Sequence, residues 1–75
     1  MSLKENWEYV LTLFYTTFLM HYDAVSQNKE FILPTPEIVI DEYINNPKIR
    51  GFVEPAIETT LKFFELYNKQ VDKKN

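Results

Sequence analysis

The stretch YVLTLFYTTFLMHY, residues 9–22, decides how this chain folds. Its fourteen residues carry no formal charge, which is unusual for a helix at a protein surface. As an α-helix it would span about 21 Å, against about 30 Å for the hydrocarbon core of a bilayer. The stretch therefore predicts a helix that is buried against protein, and not one that crosses a membrane.

The helical pattern extends outward from this stretch over residues 3–27, which form the predicted helix 1. Ser2 followed by Glu5 matches a capping box at its start. The apolar residues that recur at spacings of three and four form one broad face: Leu3, Trp7, Val10, Leu11, Phe14, Phe18 and Val25. We interpret this face as the side of helix 1 that packs in the core.

Four further apolar residues of helix 1 lie outside that face. Tyr15 and Leu19 project on the polar side, and Leu13 and Met20 lie on the flank. A helix that is apolar nearly all round is covered on more than one side, and an exposed apolar row marks a contact surface. We therefore predict that these four residues form the interface of a homodimer. The alternative is that the apolar connector at residues 31–33 covers the row within one subunit.

Helix 1 is followed by a connector and a second helix. Asn28 suits the left-handed position that ends a helix. The connector contains Phe-Ile-Leu at residues 31–33, which we expect to pack against the helices. Thr35 as the N-cap and Pro36 at the first helical position predict a helix over residues 36–46.

The last part of the chain is predicted as a short turn and a third helix. Asn46 and Pro47 open a turn of helix over residues 47–51, and Gly51, the only glycine, can take the positive φ that ends it. Helix 3 then covers residues 54–71, with Pro55 in its first turn, and residues 72–75 fray. The alternative is one long helix from Pro47 that is kinked at Pro55.

Together these patterns predict an all-α fold. Residues 1–75 form a single domain, a small three-helix bundle with an additional short helical turn, which assembles as a dimer. We expect helix 1 to be held against helix 3 mainly by aromatic side chains, namely Trp7, Phe14, Phe18, Phe64 and Tyr67.

The length and composition of the chain limit what can stabilise its fold. A chain of 75 residues buries only about 60% of its unfolded surface, so small domains often need an additional support. Without cysteine there is neither a disulfide nor a thiolate metal site, and one histidine builds no zinc centre. Of the usual supports, self-association is left; the alternative is an unusually good core, which 45% hydrophobic and 16% aromatic residues make possible. We also find no secretory signal pattern, which favours a cytoplasmic protein.

No residue pattern indicates catalysis. His21 is the only histidine, and we interpret it as a half-buried imidazole without a catalytic role. Glu54 and Glu58 share a helix face but lack the Glu-x-x-His motif of di-iron bundles. With one glycine there is no phosphate-binding loop. The sequence therefore predicts no catalytic residue, no metal ligand, no cofactor and no enzymatic activity.

The predicted function is protein–protein interaction. We expect a small accessory or regulatory protein that self-associates through helix 1, with another protein as a further partner. The alternatives are a small helix-turn-helix transcription regulator and an immunity- or inhibitor-like helical protein. A net charge of −3, with Glu54, Glu58 and Glu65 on helix 3, argues against nucleic-acid binding because that helix would face phosphates. We expect no membrane partner.

Overall fold

The computed structural model describes the backbone of residues 3–74 and the side chains of residues 6–71. It contains three α-helices over that range: α1, Leu3–Ser26; α2, Pro36–Asn45; and α3, Pro47–Lys74. Each helix packs against the other two, and no strand occurs within residues 3–74. The prediction of an all-α chain with three main helices is therefore confirmed.

The C-terminal end of α1 has the left-handed cap that the sequence predicted. Asn28 has a φ of 58°, the left-handed conformation that was expected there. The backbone N–H of Asn28 donates to the Val25 carbonyl at 3.0 Å, and that of Lys29 donates to the Ala24 carbonyl at 2.9 Å. These two bonds form a Schellman motif, which satisfies carbonyls that the helix would otherwise leave without donors. Helix α1 ends at Ser26, one residue earlier than predicted. Ser2, the predicted cap at its start, lies outside the described residues.

Two polar caps define α2 and the start of α3. The Thr35 side chain accepts from the Ile38 N–H at 3.5 Å, and Pro36 begins the helix, as predicted. Asn46 leaves helical geometry, and its Oδ1 accepts from the N–H groups of Lys48 and Ile49 at 3.1 and 3.3 Å. One asparagine therefore separates α2 from α3 and caps the second of them.

The predicted break near Gly51 is wrong, because α3 is one helix from Pro47 to Lys74 with Pro55 inside it. The alternative of one long helix describes it better. Gly51 does not take a positive φ. Proline lacks an N–H, so the Gly51 carbonyl loses its helical donor; Gly51 is exposed, and water can replace that donor. A continuous helix keeps Val53 and Ile57, on either side of Pro55, on the same inner face.

The core is small and lies where the three helices meet. Buried apolar side chains within residues 6–71 are Leu11, Val39 and Val53, one from each helix. Thr16 of α1 is also fully buried. Beside them, the Tyr15 hydroxyl and the Thr60 Oγ1 are 2.7 Å apart, which ties α1 to α3.

Most residues of the predicted core face of helix 1 are exposed, so the prediction that they pack in the core is wrong for them. Phe14 and Phe18 are 61% and 57% exposed, and Tyr67 of α3 is also exposed. The expected contact between Trp7 and Phe64 is present, with ring centroids 5.2 Å apart. Helix α1 is turned so that its more polar side faces α2 and α3, and its phenylalanines face outward.

The connector is only partly packed. Phe31 lies with its ring centroid 4.8 Å from that of His21 and is half-buried. Ile32 and Leu33 are exposed, so the expectation that all three residues pack against the helices holds for Phe31 alone.

Candidate interaction surfaces

An uncovered apolar stripe follows α1 along its outer side. It consists of six exposed side chains spaced mostly by three and four residues, hereafter the α1 stripe: Trp7, Val10, Phe14, Phe18, Tyr22 and Val25. None of the six carries a charge at neutral pH, and the spacing places them along one side of the helix. In an ordinary monomeric domain such a row faces the core.

The four residues predicted as a dimer interface lie elsewhere on α1. Leu13, Tyr15, Leu19 and Met20 are all half-buried. Tyr15 was expected on the outward side, which is wrong, because its hydroxyl bonds Thr60 of α3. Contact of these four residues with a second chain stays a prediction.

Aromatic rings connect the α1 stripe to α3. The Trp7 ring packs on Phe64, whose centroid is 6.3 Å from that of Phe63. Phe63 is exposed, as is Leu66, which follows it by three residues along α3. The apolar surface therefore continues from α1 onto α3.

A groove of about 1180 Å³ lies mainly between α1 and α3. Apolar side chains that line it include Trp7, Ile57, Leu61 and Phe64. Its charged lining residues are four glutamates and one lysine: Glu8, Glu54, Glu58, Glu65 and Lys62. A formal charge of −3 thus surrounds an apolar floor. Helix α2 contributes only Tyr43 to the lining.

Local contacts set the electrostatics of the groove. The Tyr43 hydroxyl donates to Glu54 Oε1 at 3.4 Å. Partial burial raises the pKa of the Tyr43 phenol above its usual value, and the negative charge of Glu54 raises it further. Lys62 Nζ lies 3.7 Å from Glu58 Oε1, and both side chains are well exposed. An exposed pair of this kind stabilises little, so both groups remain free to pair with a ligand.

The described residues form no recognisable catalytic or metal site. His21 is exposed and its ring packs on Phe31. Within the part of the chain that the structure describes, no three potential metal-ligating side chains are grouped. No helix in that part is both long and apolar enough to cross a membrane.

The sequence did not predict this groove, and Glu54, Glu58 and Glu65 served there as an argument against nucleic-acid binding. One signal for it was present. The predicted second helix is less than half as long as the first, and so it cannot cover the full contact line between its neighbours.

No protein-family model, characterised protein or solved structure matches this chain significantly.

Proposed function

We propose that this chain is a non-enzymatic protein–protein interaction module that self-associates as a two-fold homodimer through the α1 stripe. The observation that supports the proposal is the exposure of Phe14 and Phe18 in the middle of an uncharged row. Together the six side chains of the stripe expose on the order of 600 Å², at the upper end of the largest apolar patch of a typical monomer.

The dimensions of the single chain also support association. Its accessible surface is 6241 Å², whereas a compact monomer of 9.0 kDa exposes about 4,900 Å². Its radius of gyration is 15.0 Å, against about 11 Å for a compact domain of this length. The excess surface exceeds the roughly 800 Å² per partner that a standard interface buries.

A second copy is the occupant that fits the α1 stripe best. The chain carries a net charge of −3, so two copies repel each other unless they meet on an uncharged surface. The α1 stripe is such a surface and is about 30 Å long as a helix row. In a two-fold dimer the same patch is used on both subunits, so one apolar row is buried against its own copy.

The proposal assigns a cytoplasmic accessory or regulatory role, without a cofactor, nucleic acid or membrane as partner. The acidic charge of the chain and the acidic residues of α3 support the exclusion of nucleic acid. Salt-sensitive binding of duplex DNA that survives competitor DNA would contradict this part of the proposal.

Paired substitutions test the dimer. The double variant Phe14→Ser, Phe18→Ser removes two exposed rings from the α1 stripe and leaves every buried residue unsubstituted. The matched control is Ile32→Ser with Leu33→Ser, which removes two even more exposed apolar side chains from the connector. We expect the first variant to sediment as a 9.0 kDa monomer at 50 µM, and the control to keep the wild-type dimer mass. Equal loss of association in both variants would contradict the assignment of the interface.

A further inference from the structure

The groove between α1 and α3 differs from the α1 stripe in charge. Its floor is apolar, with Ile57, Leu61 and Phe64 at spacings of four and three along α3 and Trp7 opposite them on α1. Its surroundings are acidic, with four glutamates against Lys62. A second copy of this acidic chain is a poor occupant, because it would bring further negative charge to the glutamates.

The groove has the form of a vacant helix position. Helix α2 has 10 residues, whereas α1 has 24 and α3 has 28. Helix α3 supplies most of the lining, α1 supplies Trp7, Glu8 and Thr12, and α2 supplies only Tyr43. Most of this side of α3 therefore has no third helix over it. Two neighbouring helices with apolar side chains between them present a groove that an amphipathic helix can enter.

The length and charge of the groove define its occupant. The lining residues of α3 extend from Glu54 to Asn68, about 21 Å along the helix. That distance matches a helix of about 14 residues. Basic side chains beside its apolar face would pair with Glu54, Glu58 and Glu65, since oppositely charged rims favour docking and fix its register.

We propose that this groove binds an amphipathic helix of a different protein, about four turns long, with an apolar face flanked by lysine or arginine. The groove and the α1 stripe meet at Trp7, and the rest of each surface serves a different partner. An uncharged row joins two copies of the chain, and an acidic groove on each copy holds a basic helix.

Trp7 offers a readout, because it is the only tryptophan and lines the groove. Since Trp7 also belongs to the α1 stripe, the titration is made in the Phe14→Ser, Phe18→Ser variant as well as in the wild type, so that self-association does not cause the signal. The probe is a synthetic 16-residue helical peptide without tryptophan, with leucines at helical spacing and four flanking lysines. A twin peptide carries glutamate in place of each lysine. We expect the lysine peptide to change Trp7 fluorescence saturably and the glutamate peptide to bind at least tenfold more weakly. No change with the lysine peptide, or equal binding of the two peptides, would overturn the proposal.

Matched charge variants locate the binding. Glu54→Gln, Glu58→Gln and Glu65→Gln together should raise the Kd of the lysine peptide about tenfold, since three ion pairs are lost. The control triple removes the same charge outside the groove: Glu30→Gln, Glu37→Gln and Asp41→Asn. It should change the Kd by less than about twofold. Equal effects of the two triples would show general charge attraction and overturn the proposal.

Two further variants separate this proposal from the dimer. Lys62→Gln removes the one positive charge that residues 6–71 place in the groove and should tighten binding about twofold. Weaker binding would contradict the role given to the glutamates. The Phe14→Ser, Phe18→Ser variant should bind the lysine peptide as the wild type does, whatever its mass in solution. If peptide binding is instead lost as wild-type protein associates, the groove is occupied by a second copy and the proposal fails.

Discussion

The inner side of α1 mixes apolar and polar side chains, with Leu11 and Thr16 buried and Tyr15 half-buried, whereas its outer side carries Phe14 and Phe18, both more than half exposed. In a self-sufficient monomer the more apolar of two helix faces would be the buried one. Here the fold of one chain uses polar contacts inside, such as Tyr15 to Thr60, and leaves its phenylalanines outside. Under the proposed function, α1 has two packing faces, one for its own chain and one for a second copy.

The largest expected effect is on the free energy of unfolding. Substitutions on the two faces of α1 should differ in whether the loss of stability depends on protein concentration. Leu11→Ala, on the buried side, should lower the free energy of unfolding by about 2–3 kcal/mol, equally at 1 and 100 µM. Phe14→Ala should cost under about 1 kcal/mol at 1 µM and more at 100 µM, because association stabilises only the wild type strongly. Urea denaturation at both concentrations measures this. A large loss at Phe14 that is independent of concentration would place Phe14 in the core of the single chain.

A smaller effect concerns the polar character of the inner face. The Thr12 hydroxyl donates to the Glu8 carbonyl at 2.7 Å, and that of Thr60 donates to the Ala56 carbonyl at 2.8 Å. The Thr16 hydroxyl is buried without a partner among the described residues. We therefore expect Thr16→Val, which keeps the shape of the side chain, to raise the free energy of unfolding by about 1 kcal/mol. Thr12→Val is the matched control and should give no gain. A loss of stability in Thr16→Val would mean that its hydroxyl is bonded, for example to a buried water.

The smallest effect concerns α3, which is one continuous helix through Gly51 and Pro55. Gly51 has helical backbone geometry without a positive φ, and a Cβ placed on it meets nothing within 4 Å. Gly51→Ala should therefore stabilise the chain by about 0.5–1 kcal/mol through helix propensity. Thermal unfolding followed by circular dichroism measures the change. Destabilisation would support the short turn that the sequence predicted at this position.

The helix caps were predicted correctly from the sequence, because their hydrogen bonds involve residues close by in the chain. Asn28, Thr35 and Asn46 end or begin helices through bonds to backbone groups within five residues, so neighbouring sequence is sufficient to predict them. Pro55 was misread because a proline that begins a helix and one inside a helix share the same local signal. The difference depends on whether Val53 and Ile57 pack on one tertiary face, which only the folded chain determines.

The orientation of α1 could not be predicted for a different reason. Apolar residues at spacings of three and four show that Phe14 and Phe18 share a face, and this holds. The pattern is the same whether that face is buried by the same chain or by another one. The groove depended on the relative lengths of α1, α2 and α3, which follow from the boundaries of all three helices together.

The solution mass of the wild-type protein tests the central claim most directly. Light scattering coupled to size-exclusion chromatography, repeated from about 1 to 100 µM, covers the range in which an interface of standard size should form. We expect the mass to rise with concentration to twice 9.0 kDa and to stay there. A mass of 9.0 kDa at every concentration would contradict the claim that a second copy covers the α1 stripe.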